Sequence, residues 1–245
     1  MDYRARMICG PRRVAGVVVL ALAAAFPQVV LAVDAAAVIE AARMSASLQQ
    51  SDLNGSIRKD RTKTPLAMFL RGRDIQFQYQ IGGKWQAFHM RLNDESCDLL
   101  EIVDGKTRVF DAKKLVQPVA GTDLNFEDLA LRFFYWPNPQ DEGEEKVNGQ
   151  DCYKIRLNNP GRSGNYALVY VWVNKKFGAF MRIRGHDRAG KLLKQFEVES
   201  VMSVGDGVYT LRKMKVDTMN DSGRVAGSTY VEFEKPTKAD PGGLR

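Results

Sequence analysis

From Leu53 onward the apolar positions recur mainly every second residue. DIQFQYQI (74–81) is the clearest case: Ile75, Phe77, Tyr79 and Ile81 share one face, and Gln76, Gln78 and Gln80 the other. That alternation predicts a strand wet on one side and apolar on the other. Similar runs are DLNGSIRKD (52–60), KWQAFHMRL (84–92), CDLLEIV (97–103), TRVFDA (107–112), CYKIRL (152–157), FGAFMRI (177–183), LLKQFEVESVM (192–202), VYTLRKMKVDTM (208–219) and RVAGSTYVEFE (224–234). LAMFL (66–70) and YALVYVWV (166–173) are apolar on both faces. Short turn signals at Gly82-Gly83, Asp104-Gly105, 186–190, 205–207 and 221–223 separate them. Short connections without a βαβ rhythm predict antiparallel neighbours, about eleven strands in all.

Two stretches depart from period two. DAAAVIEAARMSASLQQ (34–50) reads as a helix capped by Asp34, with Val38, Ala41, Ala42, Ser45 and Leu48 on one modestly apolar face. GTDLNFEDLALRFFYWPNP (121–139) begins as a well-specified helix: Asn125 is a candidate N-cap and Asp128 completes a capping box. Leu124 and Leu129 stand at staple positions, and Glu127 and Asp128 suit the positive end of the helix dipole. Pro137 and Pro139 forbid continuation past Trp136. Phe126, Leu129, Ala130 and Phe133 form one stripe, and Leu131, Phe134, Tyr135 and Trp136 extend apolar surface around the cylinder, interrupted by Arg132. A helix so greasy requires a second apolar partner besides the sheet: protein, another chain or a ligand. Many antiparallel strands with two helices predict a mainly β, α+β fold. Its curved sheet forms an unclosed barrel with the helices on the concave side.

The N-terminus carries Arg4, Arg6, Arg12 and Arg13 ahead of an apolar run over 14–31 that ends in Val30-Leu31-Ala32. This is the pattern of an export signal, expected to be cleaved after Ala32. Cys9 precedes the run, so no acylated cysteine is expected to follow it. The expected organisation is a leader over 1–32, one domain over 33–234 and a disordered tail over 235–245, placing the mature chain in the periplasm. Loss of four arginines and one aspartate lowers the formal charge from +7 to about +4. That mild basicity suits transient contact with a membrane surface, and no Lys/Arg run points to nucleic acid. Cys97 and Cys152 remain after processing, and an oxidising compartment predicts a disulfide between them.

Signals for catalysis are weak. The two histidines, His89 in a strand and His186 in a turn, lack metal-ligand spacing, and no nucleophile elbow or phosphate loop occurs. Glu144-Glu145 reads as a solvated loop. No enzyme, cofactor or metal is expected.

GTDLNFEDL (121–129) resembles the G-[ST]-D-[FL]-[ST/N]-x-E-D-[LM] stretch of outer-membrane lipoprotein-sorting proteins of the LolA-like superfamily. GQDCYKIRL (149–157) after an acidic segment, and VYVWVNKKFGAFMRIRGHDRAGKLLKQFEV (169–198), are also similar to that family. The resemblance spans roughly residues 50–233. It implies an unclosed antiparallel barrel around a hydrophobic cavity that carries acyl chains of lipoproteins or other lipids. Implied partners are an inner-membrane exporter and an outer-membrane acceptor, with the carrier a monomer. The alternative is a non-enzymatic envelope interaction protein on the same fold. The residues expected to line the cavity are Met68, Leu70, Phe77, Tyr79, Phe88, Phe126, Leu129, Phe133, Phe134, Trp136, Trp172 and Met181. Residues 126–136 are expected to serve as its lid, and the adaptable methionines as its compliant wall.

Overall fold

The computed structural model describes residues 33–47, 52–94, 96–103, 106–205 and 208–236. The expected leader with its cleavage site, the helix end at Leu48, the Asp104-Gly105 turn, Asp206-Gly207 and the tail from 237 lie outside the described residues. Among the described residues no helix is long and apolar enough to cross a membrane.

Helix α1 (Ala35–Ser47) starts at the predicted cap, where the Asp34 carboxylate accepts from the backbone N–H groups of Ala36 and Ala37 at 3.0 and 3.1 Å. Six strands follow: β1 (Leu53–Lys59), β2 (Thr62–Arg71), β3 (Asp74–Ile81), β4 (Lys84–Leu92), β5 (Cys97–Val103) and β6 (Lys106–Val109). A connection with a 3₁₀ turn (Ala112–Lys114) leads to α2 (Phe126–Ala130) and a second 3₁₀ turn (Arg132–Tyr135). The remaining strands are β7 (Gln140–Val147), β8 (Gln150–Asn158), β9 (Leu168–Asn174), β10 (Phe180–His186), β11 (Leu192–Gly205), β12 (Val208–Met219) and β13 (Val225–Phe233).

Among the described residues thirteen strands form one antiparallel sheet in the order β6-β5-β4-β3-β2-β1-β13-β12-β11-β10-β9-β8-β7, so β1 pairs with β13. β6 and β7 stand at its two ends, unpaired with each other, and the sheet is unclosed. The strand count exceeds the expected eleven. One reason is β7, whose sequence QDEGEEKV lacks apolar alternation because every residue before Val147 is exposed. An edge strand needs no buried face, and its carboxylates guard the open edge against pairing with another chain. The Glu144-Glu145 segment is therefore strand, not loop.

One apolar cluster joins α1 (Val38, Ile39, Ala42), strands from both halves of the sheet (Phe77, Phe88, Ile155, Val171, Phe196, Val216) and the mid-chain segment (Leu129, Phe133, Phe134). The sheet thus wraps around helical fill. β3 carries the predicted alternation, with Ile75, Phe77 and Tyr79 buried and the glutamines half-exposed, though Ile81 at the turn is exposed.

The helix expected over 125–136 is broken in two. Leu131 adopts the left-handed conformation (φ 46°, ψ 35°) and separates α2 from the second 3₁₀ turn. No glycine or asparagine marks this cap, and a leucine there is held by its surroundings against a local cost of about 1 kcal/mol. The stop is as predicted: Trp136, ahead of Pro137, is extended (φ −72°, ψ 136°).

The disulfide is absent. Cys97 and Cys152 are free thiols. Cys97 on β5 touches the central cluster, whereas Cys152 on β8 belongs to a separate cluster with Val147 and Trp172. Their strands lie near opposite ends of the sheet order. Sequence spacing carries no information about which face a cysteine occupies, and here the faces differ.

Candidate hydrophobic cavity

The start of the mid-chain segment is fastened by buried polar groups. Asn125 Oδ1 accepts from the N–H of Asp128 and Asp128 Oδ2 accepts from the N–H of Asn125, both at 2.8 Å, closing the predicted capping box. The other oxygen of Asp128 accepts from the Tyr166 hydroxyl at 2.6 Å, and Lys194 on β11 donates its ammonium to both Asp128 and the Asp123 carbonyl. Asp123 in turn accepts from Lys59 on β1 at 2.9 Å and from the Thr229 hydroxyl on β13 at 3.0 Å. Tyr166 can reach Asp128 because residue 185 on β10 is glycine: a Cβ there would overlap the tyrosine ring. Burial beside Asp128 drives the Tyr166 phenol well above its ordinary range. Burial likewise pushes the Glu127 carboxyl up to about 7, against the opposing N–H of Asn165, which donates to it at 2.8 Å. Three polar residues of GTDLNFEDL therefore attach the segment to other parts of the fold: Asp123, Glu127 and Asp128.

Phe126 projects into a ring cluster with Phe110 (5.0 Å between centroids), Phe88 (5.7 Å) and Tyr79 (6.2 Å), while Phe77 stacks on Phe88 at 5.3 Å. At the other end Phe133 and Phe134 are buried, Phe134 meeting Phe180 of β10 at 5.9 Å, and Trp136 lies edge-on to Phe133.

Between this segment and the sheet is an open, mostly apolar cavity of about 700 Å³. That volume falls in the range of small-molecule sites. Of the twelve residues expected to line it, Met68, Phe77, Leu129 and Met181 do so. Leu70, Tyr79, Phe88, Phe133 and Phe134 instead belong to the central cluster, and Phe126 and Trp136 pack on its margin. Trp172 points to the opposite face, because inward positions on β9 are Val169, Val171 and Val173. There its indole donates to Glu145 at 2.8 Å, and Lys154 and Arg184 lie 5.3 Å from its ring. An apolar run such as VYVWV hides its parity, and its largest side chain lies on the face opposite to the expected one. The bulge between Phe180 and Arg182 lets both Phe180 and Met181 reach the cavity.

The lining also includes Leu131, Leu211, Met214, Val231 and Phe233. Met214, Val231 and Phe233 sit at alternating positions of β12 and β13, and that alternation was the available signal. Leu131 lines the cavity only because its left-handed conformation turns the chain, which nothing in the sequence announced. The histidines lie elsewhere: His89 Nε2 is 3.0 Å from Asp74, and His186 Nδ1 is 3.1 Å from the Gly190 carbonyl in its turn.

A family model described as an uncharacterized protein matches residues 104–241. No curated protein sequence matches the chain. Among solved structures, the chain is similar to a putative outer membrane lipoprotein-sorting protein domain from Vibrio parahaemolyticus (TM-score 0.66, 15% identity, 86% of this chain and 94% of that one). It is also similar to a LolA superfamily protein from Nitrosomonas europaea (0.63, 19%, 84% and 95%) and a DUF1329 family protein from Desulfovibrio piger (0.59, 16%, 84% and 94%). At these identities the shared property is the fold, which is LolA-like.

Proposed function

The chain belongs to the family of uncharacterized proteins whose model covers residues 104–241, on a LolA-like fold, and from that premise we propose that it is a carrier of acyl chains. The observation that supports this reading is the apolar cavity of about 700 Å³ between the sheet and the mid-chain segment. A hydrocarbon tail gains roughly 0.8 kcal/mol per methylene removed from water, so ten methylenes contribute about 8 kcal/mol without any covalent step. Reversible transfer follows from a hollow that is open and lined by compliant side chains, Met68, Met181 and Met214 among them. The cargo is the acyl chain of a lipoprotein or another lipid, moved through the periplasm toward the outer membrane by a monomeric, non-enzymatic protein. An exporter at the inner membrane and an acceptor at the outer membrane complete the route. In this reading residues 1–32 are the export leader, 33–234 the single domain and 235–245 a tail.

Organic extraction of protein purified from its own host, followed by mass spectrometry, tests the proposal. Lipid bound in stoichiometric amounts is the expected result. Protein that contains none, and that also fails to bind a fluorescent fatty acid, would be an interaction module rather than a carrier.

A further inference from the structure

The rim of the cavity is unusually greasy for a surface exposed to water. Phe177 (61% exposed), Tyr209 (58%) and Val201 (51%) are among the most exposed large apolar side chains, and all three line the same cavity. They come from two places: Phe177 from the β9–β10 turn, and Val201 and Tyr209 from the β11–β12 hairpin.

The β9–β10 turn is built to hold Phe177 out. The buried Asn174 side chain accepts from the N–H groups of Lys176 (2.9 Å) and Phe177 (3.0 Å), and Gly178 donates to the Asn174 carbonyl at 2.9 Å. Gly178 has φ +65°, and its Cα faces Ala41 of α1 so closely that a Cβ would stand 3.2 Å from the alanine methyl. Lys175 N–H is bound to the Asp151 carbonyl at 3.0 Å. A turn tied at four points has no need to expose a phenylalanine for its own stability.

Charge completes the pattern. Lys175 is paired with Glu144, and Lys213 with Glu199 at 2.9 Å. Lys176 holds its ammonium 5.1 Å from the Phe177 ring, Arg212 lines the adjoining surface hollow that shares Ser200 and Phe233 with this cavity, and neither is in an ion pair among the described residues. Aromatic side chains flanked by unpaired cations match the interface of an anionic bilayer, where rings settle at headgroup depth and Lys or Arg meets phosphate.

We propose that the cavity mouth docks on an anionic lipid surface, with Phe177 and Tyr209 inserting as wedges and Lys176 and Arg212 meeting headgroup phosphates, so that the opening faces the leaflet from which a chain enters. This inference rests on the carrier reading for its purpose but has a separate test. The exported protein is mixed with vesicles of phosphatidylcholine alone or with 30% phosphatidylglycerol, and flotation measures the bound fraction. Binding is expected on the anionic vesicles and to weaken at least tenfold in the double variant Phe177→Ser/Tyr209→Ser. Each of Lys176→Gln and Arg212→Gln should lower it about fivefold and flatten its salt dependence. These four side chains are exposed or at the rim, and unchanged melting confirms intact folding. Wild-type protein that ignores anionic vesicles, or serine variants that bind as well as wild type, overturns the proposal and leaves the rim as a surface for a protein partner. Binding of a soluble fatty-acid probe without vesicles reports the cavity alone. Its loss with vesicle binding intact would sink the carrier reading and spare the docking surface.

Discussion

The two sides of the mid-chain segment obey opposite rules. On the side of Asp123, Asn125 and Asp128, both carboxylates and the Asn125 amide oxygen have partners at hydrogen-bond distance. On the side of Leu129 and Leu131, apolar atoms face a hollow of about 700 Å³. A segment that must leave room beneath it cannot be secured by close contact there, so its attachment is concentrated in a few strong polar bonds at its start. Asp128 sits at the boundary, with its side chain fully buried in the network while the residue also contributes to the cavity wall.

The largest effect should come from breaking the attachment. Asp128→Ala would leave the buried Tyr166 hydroxyl without its acceptor, strip the Lys194 ammonium of its carboxylate while leaving it the Asp123 carbonyl, and open the capping box. Removing one partner of such a buried pair typically costs about 3–5 kcal/mol. Denaturant unfolding should show that loss, with a matching fall in melting temperature. A drop under about 1 kcal/mol would mean that the segment is held by its aromatic end instead.

Glu127 supplies the next test, through pH. Its folded carboxyl titrates at about 7, raised first by burial and then by neighbouring Asp128, and opposed by the Asn165 N–H, Arg132 and Lys194. An acid with a raised folded value is protonated in the native state while ionised in the unfolded one between its two pKa values. The native state then holds the extra proton, so this group makes stability fall as pH rises from about 4.5 to about 7 and level off above. A shift of this size corresponds to on the order of 3 kcal/mol. Glu127→Gln should abolish that slope and exceed wild type in stability at pH 8. Parallel urea midpoints for the two proteins from pH 5 to 8 would refute the assignment.

Added bulk separates the two sides directly. Gly185→Ala pushes a methyl into the Tyr166 ring within the filled region, and overpacking of this kind costs about 2 kcal/mol. Leu211→Trp adds far more volume, but into the hollow, so its cost should stay below about 1 kcal/mol while fatty-acid probe affinity drops at least tenfold. Equal destabilisation by both would mean the cavity has no spare volume in solution.

This contrast also explains what the sequence disclosed. The attached end was legible because capping follows local rules: Asn125 and Asp128 are three residues apart, and Pro137 fixes the stop. Strand identity was legible where one face is wet, as in DIQFQYQI. The hollow was legible only as a surplus of apolar residues, since its shape depends on where that surplus fails to meet. Phe133 and Phe134, expected as cargo contacts, are core, while Leu131, Leu211 and Phe233, outside the expected lining, line the opening. β7 is not legible in the sequence, because an edge strand with both faces in water has no period to read. The side of Trp172 is not legible either, because β9 is apolar on both faces, one serving the core and the other a cluster beneath ion pairs.

The smallest effect concerns covalent ties. If buried polar bonds alone hold the segment, reducing agent should leave the melting temperature where it is, since Cys97 and Cys152 are free and lie in different clusters. Cys97 lies at the margin of the aromatic end, where burial pushes its thiol up to about 12 against the pull of Arg132. Its thiolate is scarce at neutral pH, so alkylation of the native protein should be slow there, while denatured protein should titrate both sites at once. A melting temperature that falls on reduction would instead reveal a bond between them worth about 4 kcal/mol for a loop of this length. In that case the far end of the segment would be stapled across the two ends of the sheet, and the open side would be far less free than its hollow implies.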